Sequence, residues 1–110
     1  MTRNEQVAES MGWEIRDGII YDKESDYYLT LSEMGEDTIE GNWLVKLIQA
    51  QLVREGWYIY IRFTKKTIKI KATKTRMADI CIMQKHSETP LSEPAAIVSL
   101  FCKIKGIEEG

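Results

Sequence analysis

Tyr58, Tyr60, Arg62, Lys69 and Lys71 are the residues whose types and spacing best suit ligand chemistry in this chain. They fall in two runs of period-two alternation. From Trp57 to Phe63, Trp57, Ile59, Ile61 and Phe63 point one way and Tyr58, Tyr60 and Arg62 the other; from Thr67 to Lys74, Ile68, Ile70 and Ala72 oppose Thr67, Lys69, Lys71 and Thr73. The spacing predicts a hairpin turning at Thr64-Lys65-Lys66. With the turn centred on Lys65, Tyr58, Tyr60 and Arg62 share a sheet face with Lys69, Lys71 and Thr73. Aromatic planes beside ammonium and guanidinium groups can stack a base and hold a phosphate, as nucleotides and single strands require. The same residues also suit ordinary cross-strand Tyr–Lys packing under a helix, or contact with another protein.

The charge distribution isolates this segment. Residues 1–55 carry 5 Lys/Arg against 12 Asp/Glu, residues 56–110 carry 10 against 5, and the whole has a formal charge of −2. Between Glu55 and Asp79 there is no acid, while Arg62, Lys65, Lys66, Lys69, Lys71, Lys74 and Arg76 supply seven bases. A solvated basic hairpin balanced by acidic loops is the plain alternative. A sequence pI near 5.5 argues against long duplex DNA as a partner, because duplex affinity comes from a broadly basic domain.

Other chemistry is poorly supplied. Asp22, Glu24, Asp26 and Glu33 occupy the first, third, fifth and twelfth positions of a calcium loop, but the sixth, which needs glycine, is Tyr27. Asp17, Asp22, Asp26, Glu36 and Asp37 can be drawn as carboxylate pairs, yet all read as turns or soluble loops. There is no nucleophile elbow, phosphate-binding loop or dinucleotide fingerprint. Cys81 and Cys102 sit in apolar periodic segments and read as reduced thiols, and the only histidine, His86, lies in the polar stretch from Gln84 to Glu88. No enzyme, metal site or cofactor is expected.

The elements that position the basic segment follow from periodicity. Asn4 to Met11 reads as a helix capped by Asn4 and ended by Gly12. Trp13 to Tyr21 alternates bulky residues, Tyr27 to Leu31 is a second strand-like run, and the turn chemistry from Asp22 to Asp26 makes them a hairpin. An acidic loop from Ser32 to Gly41 leads to Asn42, read as the cap of a helix through Trp43, Leu44, Leu47, Ile48 and Leu52 that stops at Gly56. Met77 to Met83 is a third strand of the second half. Ser92 caps a last helix, with Pro94 in its first turn and Gly106 at its end. Trp13, Trp43 and Trp57 each open an apolar segment and read as core anchors.

These elements make residues 1–110 one α+β domain, an antiparallel sheet with helices packed on it. Tyr58, Tyr60, Cys81 and Met83 oppose the purely apolar face, so cover on both sides is expected in a helix-sheet-helix layering. No apolar run approaches the roughly 20 residues that cross a bilayer, and Met1 to Ser10 is polar, so neither a membrane span nor a secretion signal is expected.

Met11-Gly12-Trp13 after a short helix, a strand ending in Tyr21-Asp22, Gly56-Trp57 leading into aromatic-rich strands, and a closing Ser92-Glu-Pro-Ala-Ala-Ile-Val98 helix resemble the phage ABA-sandwich family. These are small proteins of phages and prophages of Gram-positive bacteria, and the likeness spans residues 7 to 106. The lysine-rich segment from Lys65 to Lys74 departs from the family pattern. The resemblance implies a helix-sheet-helix sandwich and a viral or mobile-element origin, with no catalytic residues to transfer. It also implies a non-catalytic binding protein in the bacterial host cytoplasm. Such a protein would inhibit a host defence system by binding a defence protein through its acidic half, or by sequestering a signalling nucleotide on Tyr58, Tyr60, Arg62, Lys69 and Lys71. The alternative is a small RNA- or single-stranded-DNA-binding regulator using the basic hairpin 57–74. A homo-oligomer is also expected, because the second-half strands leave at least one sheet edge.

Overall fold

The structure is a computed structural model and describes residues 2–23, 26–63, 67–74, 80–85 and 92–108. Helix α1 spans Arg3–Ser10, followed by strands β1 (Glu14–Arg16), β2 (Ile19–Asp22) and β3 (Tyr27–Thr30) and a 3₁₀ turn over Leu31–Glu33. Helix α2 spans Ile39–Arg54, strands β4, β5 and β6 span Trp57–Phe63, Thr67–Lys74 and Ile80–Lys85, and α3 spans Glu93–Lys105. The strands form two antiparallel sheets, ordered β1-β2-β3 and β4-β5-β6. The fold is α+β, as runs of consecutive antiparallel strands between the helices require.

Local chemistry explains the ends of these elements, sometimes with residues other than those expected. The cap of α1 is Thr2, not Asn4: its hydroxyl accepts from the Glu5 N–H at 3.2 Å, and Glu5 reaches back in a capping box. Asn4 instead donates its side-chain amide to the Leu31 carbonyl at 3.1 Å, tying α1 to the 3₁₀ turn. The run from Trp13 to Tyr21 is two strands rather than one. Asp17 and Gly18 turn between them with φ of 51° and 75°, the double left-handed conformation of a two-residue hairpin.

Helix α2 begins three residues before Asn42. Its cap is Thr38, whose hydroxyl accepts from the Gly41 N–H at 3.0 Å and donates to Glu33 at 2.7 Å. Asn42 sits inside the first turn and donates to Asp37 and to the Thr38 carbonyl. Replacing Thr38 by alanine is expected to cost about 1 kcal/mol of stability, with Thr38→Ser retaining most of it, as read from the urea unfolding midpoint. The remaining ends match the glycine and serine signals: Gly56 and Gly106 adopt φ of 95° and 71°, and Ser92 caps α3 through the Ala95 N–H.

The core lies where α2 and α3 pack together over β4 and β5. Leu44, Ile48 and Leu52 of α2 and Ile97, Leu100 and Phe101 of α3 are buried together with Ile70 and Ala72. Helix α3 is buried from Ala96 to Cys102 without interruption, so it touches α1, α2, β5 and β6 rather than presenting one stripe. Ile20 and Leu29 bring the first sheet into the same core.

The expected cover on both faces of the central strands is corrected by the exposures. Ile59, Ile61, Ile70 and Ala72 meet the helices, but on the opposite face Tyr58 and Tyr60 are 59% and 60% exposed, and Arg62 is exposed. Strand-forming aromatics need no helix above them, because their rings lie along neighbouring side chains and leave the hydroxyl in water. Residues 77–79, where the third strand was expected to begin, and the turn 64–66 lie outside the described residues, as does His86. No helix among the described residues is long and apolar enough to cross a membrane.

Candidate functional site

The residues singled out by type and spacing do share a face, but in a register one residue away from that of a turn centred on Lys65, which would set Tyr58 opposite Ala72, Tyr60 opposite Ile70 and Arg62 opposite Ile68. Tyr58 pairs with Thr73, Tyr60 with Lys71 and Arg62 with Lys69, and this one-residue shift of partners puts the lysines, rather than Ile68, Ile70 and Ala72, on the tyrosine face. Alternate residues on one strand face are about 7 Å apart and neighbouring strands about 5 Å apart. Two parallel rows result. One holds Tyr58, Tyr60 and Arg62; the other holds Thr73, Lys71 and Lys69, each half-buried. A base stacked on either tyrosine therefore lies one strand spacing from a hydroxyl or a cation.

The underside of the hairpin holds this surface in place. Trp57 pairs with Lys74, whose ammonium lies 5.4 Å from the indole ring, while Ile61 opposite Ile70 and Ile59 opposite Ala72 face the helices. Strand β5 is the middle strand, with β6 on its far side pairing Lys71 with Cys81 and Lys69 with Met83. A central strand carrying the lysines is fixed on both edges. The lysine backbone positions are thus more tightly determined than those of the tyrosines on β4.

The surface has π faces, cations and three hydroxyls, and no carboxylate or thiol among the residues of the two rows. It can stack a base and neutralise a phosphate. The acidic residues lie elsewhere. Asp17 is in the β1–β2 turn, Asp22 is buried at the end of β2, Asp26 accepts the Tyr21 hydroxyl at 2.7 Å, and Asp37 accepts from Asn42. The bond to Asp26 holds the Tyr21 hydroxyl protonated above the usual tyrosine range. Tyr27 opens β3 and pairs with Asp22. No cluster of three or more His, Cys, Asp or Glu suited to a metal occurs among the described residues, and Cys102 is buried on α3.

One aromatic group escaped the sequence pattern. Trp43, expected as a core anchor, is 40% exposed and meets Tyr27 edge-on at 5.4 Å, whereas Trp13 and Trp57 do pack against the core. The signal was present in the helix itself: Trp43 and the exposed Ile39 lie off the Leu44–Ile48–Leu52 stripe. Tyr21 and Tyr28 stack at 4.9 Å on the outer face of the first sheet. A cleft of about 200 Å³ lined by Trp13, Tyr21, Asp22, Leu47 and Arg54 separates that sheet from α2. It is smaller than the roughly 300–1,000 Å³ of drug-sized ligand pockets.

Comparison of the chain with protein-family models, with curated proteins and with solved structures gives no match.

Proposed function

We propose that this chain is a non-catalytic binding protein whose working surface is the Tyr58, Tyr60, Arg62, Lys69, Lys71 face and whose ligand carries a base and a phosphate. The observation that carries this reading is the direct cross-strand pairing of Tyr60 with Lys71 and of Arg62 with Lys69, on a face where Tyr58 and Tyr60 are open to solvent. Had the tyrosines been covered by a helix, packing alone would account for them. The sequence likeness to phage ABA-sandwich proteins supports a phage or prophage setting. There, a protein of this kind acts stoichiometrically in the bacterial host, holding a signalling nucleotide or a defence protein and so inhibiting host defence.

The openness of the face favours a second reading, an RNA- or single-stranded-DNA-binding regulator. Small molecules are held in concave sites that bury most of their surface, whereas single strands are held on open platforms of aromatics and cations. Two measurements separate the ligands. Native mass spectrometry of protein purified gently from a bacterial host at low salt is expected to show an added mass of a few hundred daltons for a retained nucleotide. Titration with a short single-stranded oligonucleotide at rising salt is expected to show a steep loss of affinity for the strand-binding protein, flattened in the Lys69→Ala/Lys71→Ala variant. Bare protein together with an oligonucleotide affinity indifferent to both lysines would remove the nucleotide-type ligand and leave a protein target.

A further inference from the structure

A fold either protects or uses the spare backbone hydrogen-bonding groups at its sheet edges. Three of the outer strands here can be compared through their side chains. β1 is only three residues long and carries Glu14 and Arg16. β3 is four residues long, and its Thr30 N–H is already taken at 2.9 Å by the Glu40 carboxylate of α2. β4 has neither protection. It is seven residues long, holds one charge, Arg62, with no proline or glycine, and among the described residues pairs with β5 alone.

The side chains around β4 show the same unfinished edge. Ile59 and Ile61 are half-buried, whereas Ile70 and Ala72 one strand further in are 1% and 0% exposed. Val53 of α2 is 58% exposed beside a groove that it lines with Gln49, Gly56, Trp57, Tyr58 and Ile59.

We propose that β4 is a homodimer interface, in which two copies pair β4 to β4 antiparallel about a two-fold axis through Tyr60. The occupant is a second copy because the strand is complementary to itself. In this register Tyr60 lies opposite Tyr60, Ile59 opposite Ile61, and Tyr58 opposite Arg62. No like charges meet, a guanidinium lies against an aromatic ring, and half-buried aliphatic residues close over one another. The contact is isologous, so it closes at two copies.

The two three-stranded sheets become one continuous sheet with the helices on a single side, and Val53 of the two α2 helices is brought toward the seam. Tyr58, Tyr60 and Arg62 of both copies then form one run on the solvent face, so the platform is built by two chains. The pairing rests on backbone and side-chain complementarity and not on the ligand, so its test is made without one.

Sedimentation velocity on the full ligand-free chain is expected to give twice the 12.7 kDa chain mass at micromolar concentration. Tyr60→Glu and Tyr60→Lys, each placing like charges opposite one another at the axis, are each expected to sediment as monomers. Mixing the two variants is expected to restore the dimer mass, because residue 60 faces itself in this register alone. A wild-type monomer throughout the concentration range overturns the proposal. So does a Tyr60→Glu protein that stays dimeric, or a mixture of folded variants that remains monomeric.

Discussion

Replacing Tyr58 and Tyr60 together by alanine is expected to weaken binding of a short single-stranded oligonucleotide roughly a hundredfold. Stacking of a base on an aromatic side chain is worth about 1–3 kcal/mol, so two open positions in the lower half of that range, about 1.5 kcal/mol each, supply about 3 kcal/mol. Each chain should keep its fold, because in the single chain both rings are more than half exposed and the apolar underside of β4 is untouched, and sedimentation beside the titration tells a lost ring from a lost β4 pairing. Tyr58→Phe/Tyr60→Phe should retain most of the affinity, since stacking needs the ring and not the hydroxyl. Lys69→Ala/Lys71→Ala acts differently, lowering affinity most at low salt and flattening the salt dependence. Fluorescence anisotropy at two salt concentrations separates the contributions. An alanine pair that binds as well as wild type would remove the tyrosines from the site even if the lysines kept their effect.

The largest stability effect is expected from Gly41→Ala. Helix propensity alone favours alanine over glycine by about 1 kcal/mol, so an exposed helical glycine would gain from the change. Gly41 is buried in the first turn of α2 beneath the acidic loop, and a Cβ there would run into the carbonyl oxygens of Glu36 and Glu33, the latter at 2.6 Å. These are backbone atoms and cannot swing aside as the end of a long side chain can. Relief requires the loop to move away from the helix, which also disturbs the Thr38 cap. Overpacking of this kind costs about 1–3 kcal/mol or more. A net loss of about 2 kcal/mol, and a thermal midpoint lower by roughly 10 °C, is expected by calorimetry. Its sign is the decisive readout, since a stabilised variant would mean that the close approach does not exist. Binding by the β4–β5 face below the midpoint should be unchanged, because the substitution lies in α2 and leaves the pairs from Tyr58–Thr73 to Arg62–Lys69 intact.

How much of this was legible without the fold depends on the range of the interactions. The alternation of Trp57 to Phe63 and of Thr67 to Lys74 sufficed to group Tyr58, Tyr60 and Arg62 on one face of their strand and Lys69, Lys71 and Thr73 on one face of theirs, but a turn centred on Lys65 would set Tyr60 opposite Ile70, and only the register of the fold brings Tyr60 beside Lys71 and Arg62 beside Lys69. Ser92, Gly56 and Gly106 announced helix ends through chemistry confined to one or two residues. Thr38 and Thr2 were passed over as caps because several cap-type residues stand close together at both helix starts. The choice among them depends on contacts from Asn4 to Leu31 and from Gly41 to Glu36, which no local pattern contains.

The exposure of the basic face was likewise decided only in three dimensions. Large residues on both sides of a strand are compatible with one covering layer or two. Helix α3, buried continuously from Ala96 to Cys102, settles on the Ile70–Ala72 face with α2 beside it, and Tyr58, Tyr60 and Arg62 are left to solvent. Sequence by itself determined which side chains share a face within each strand, because alternation is short-range. Tertiary structure decided which face meets water, because that depends on where helices distant in the chain find their largest apolar contact.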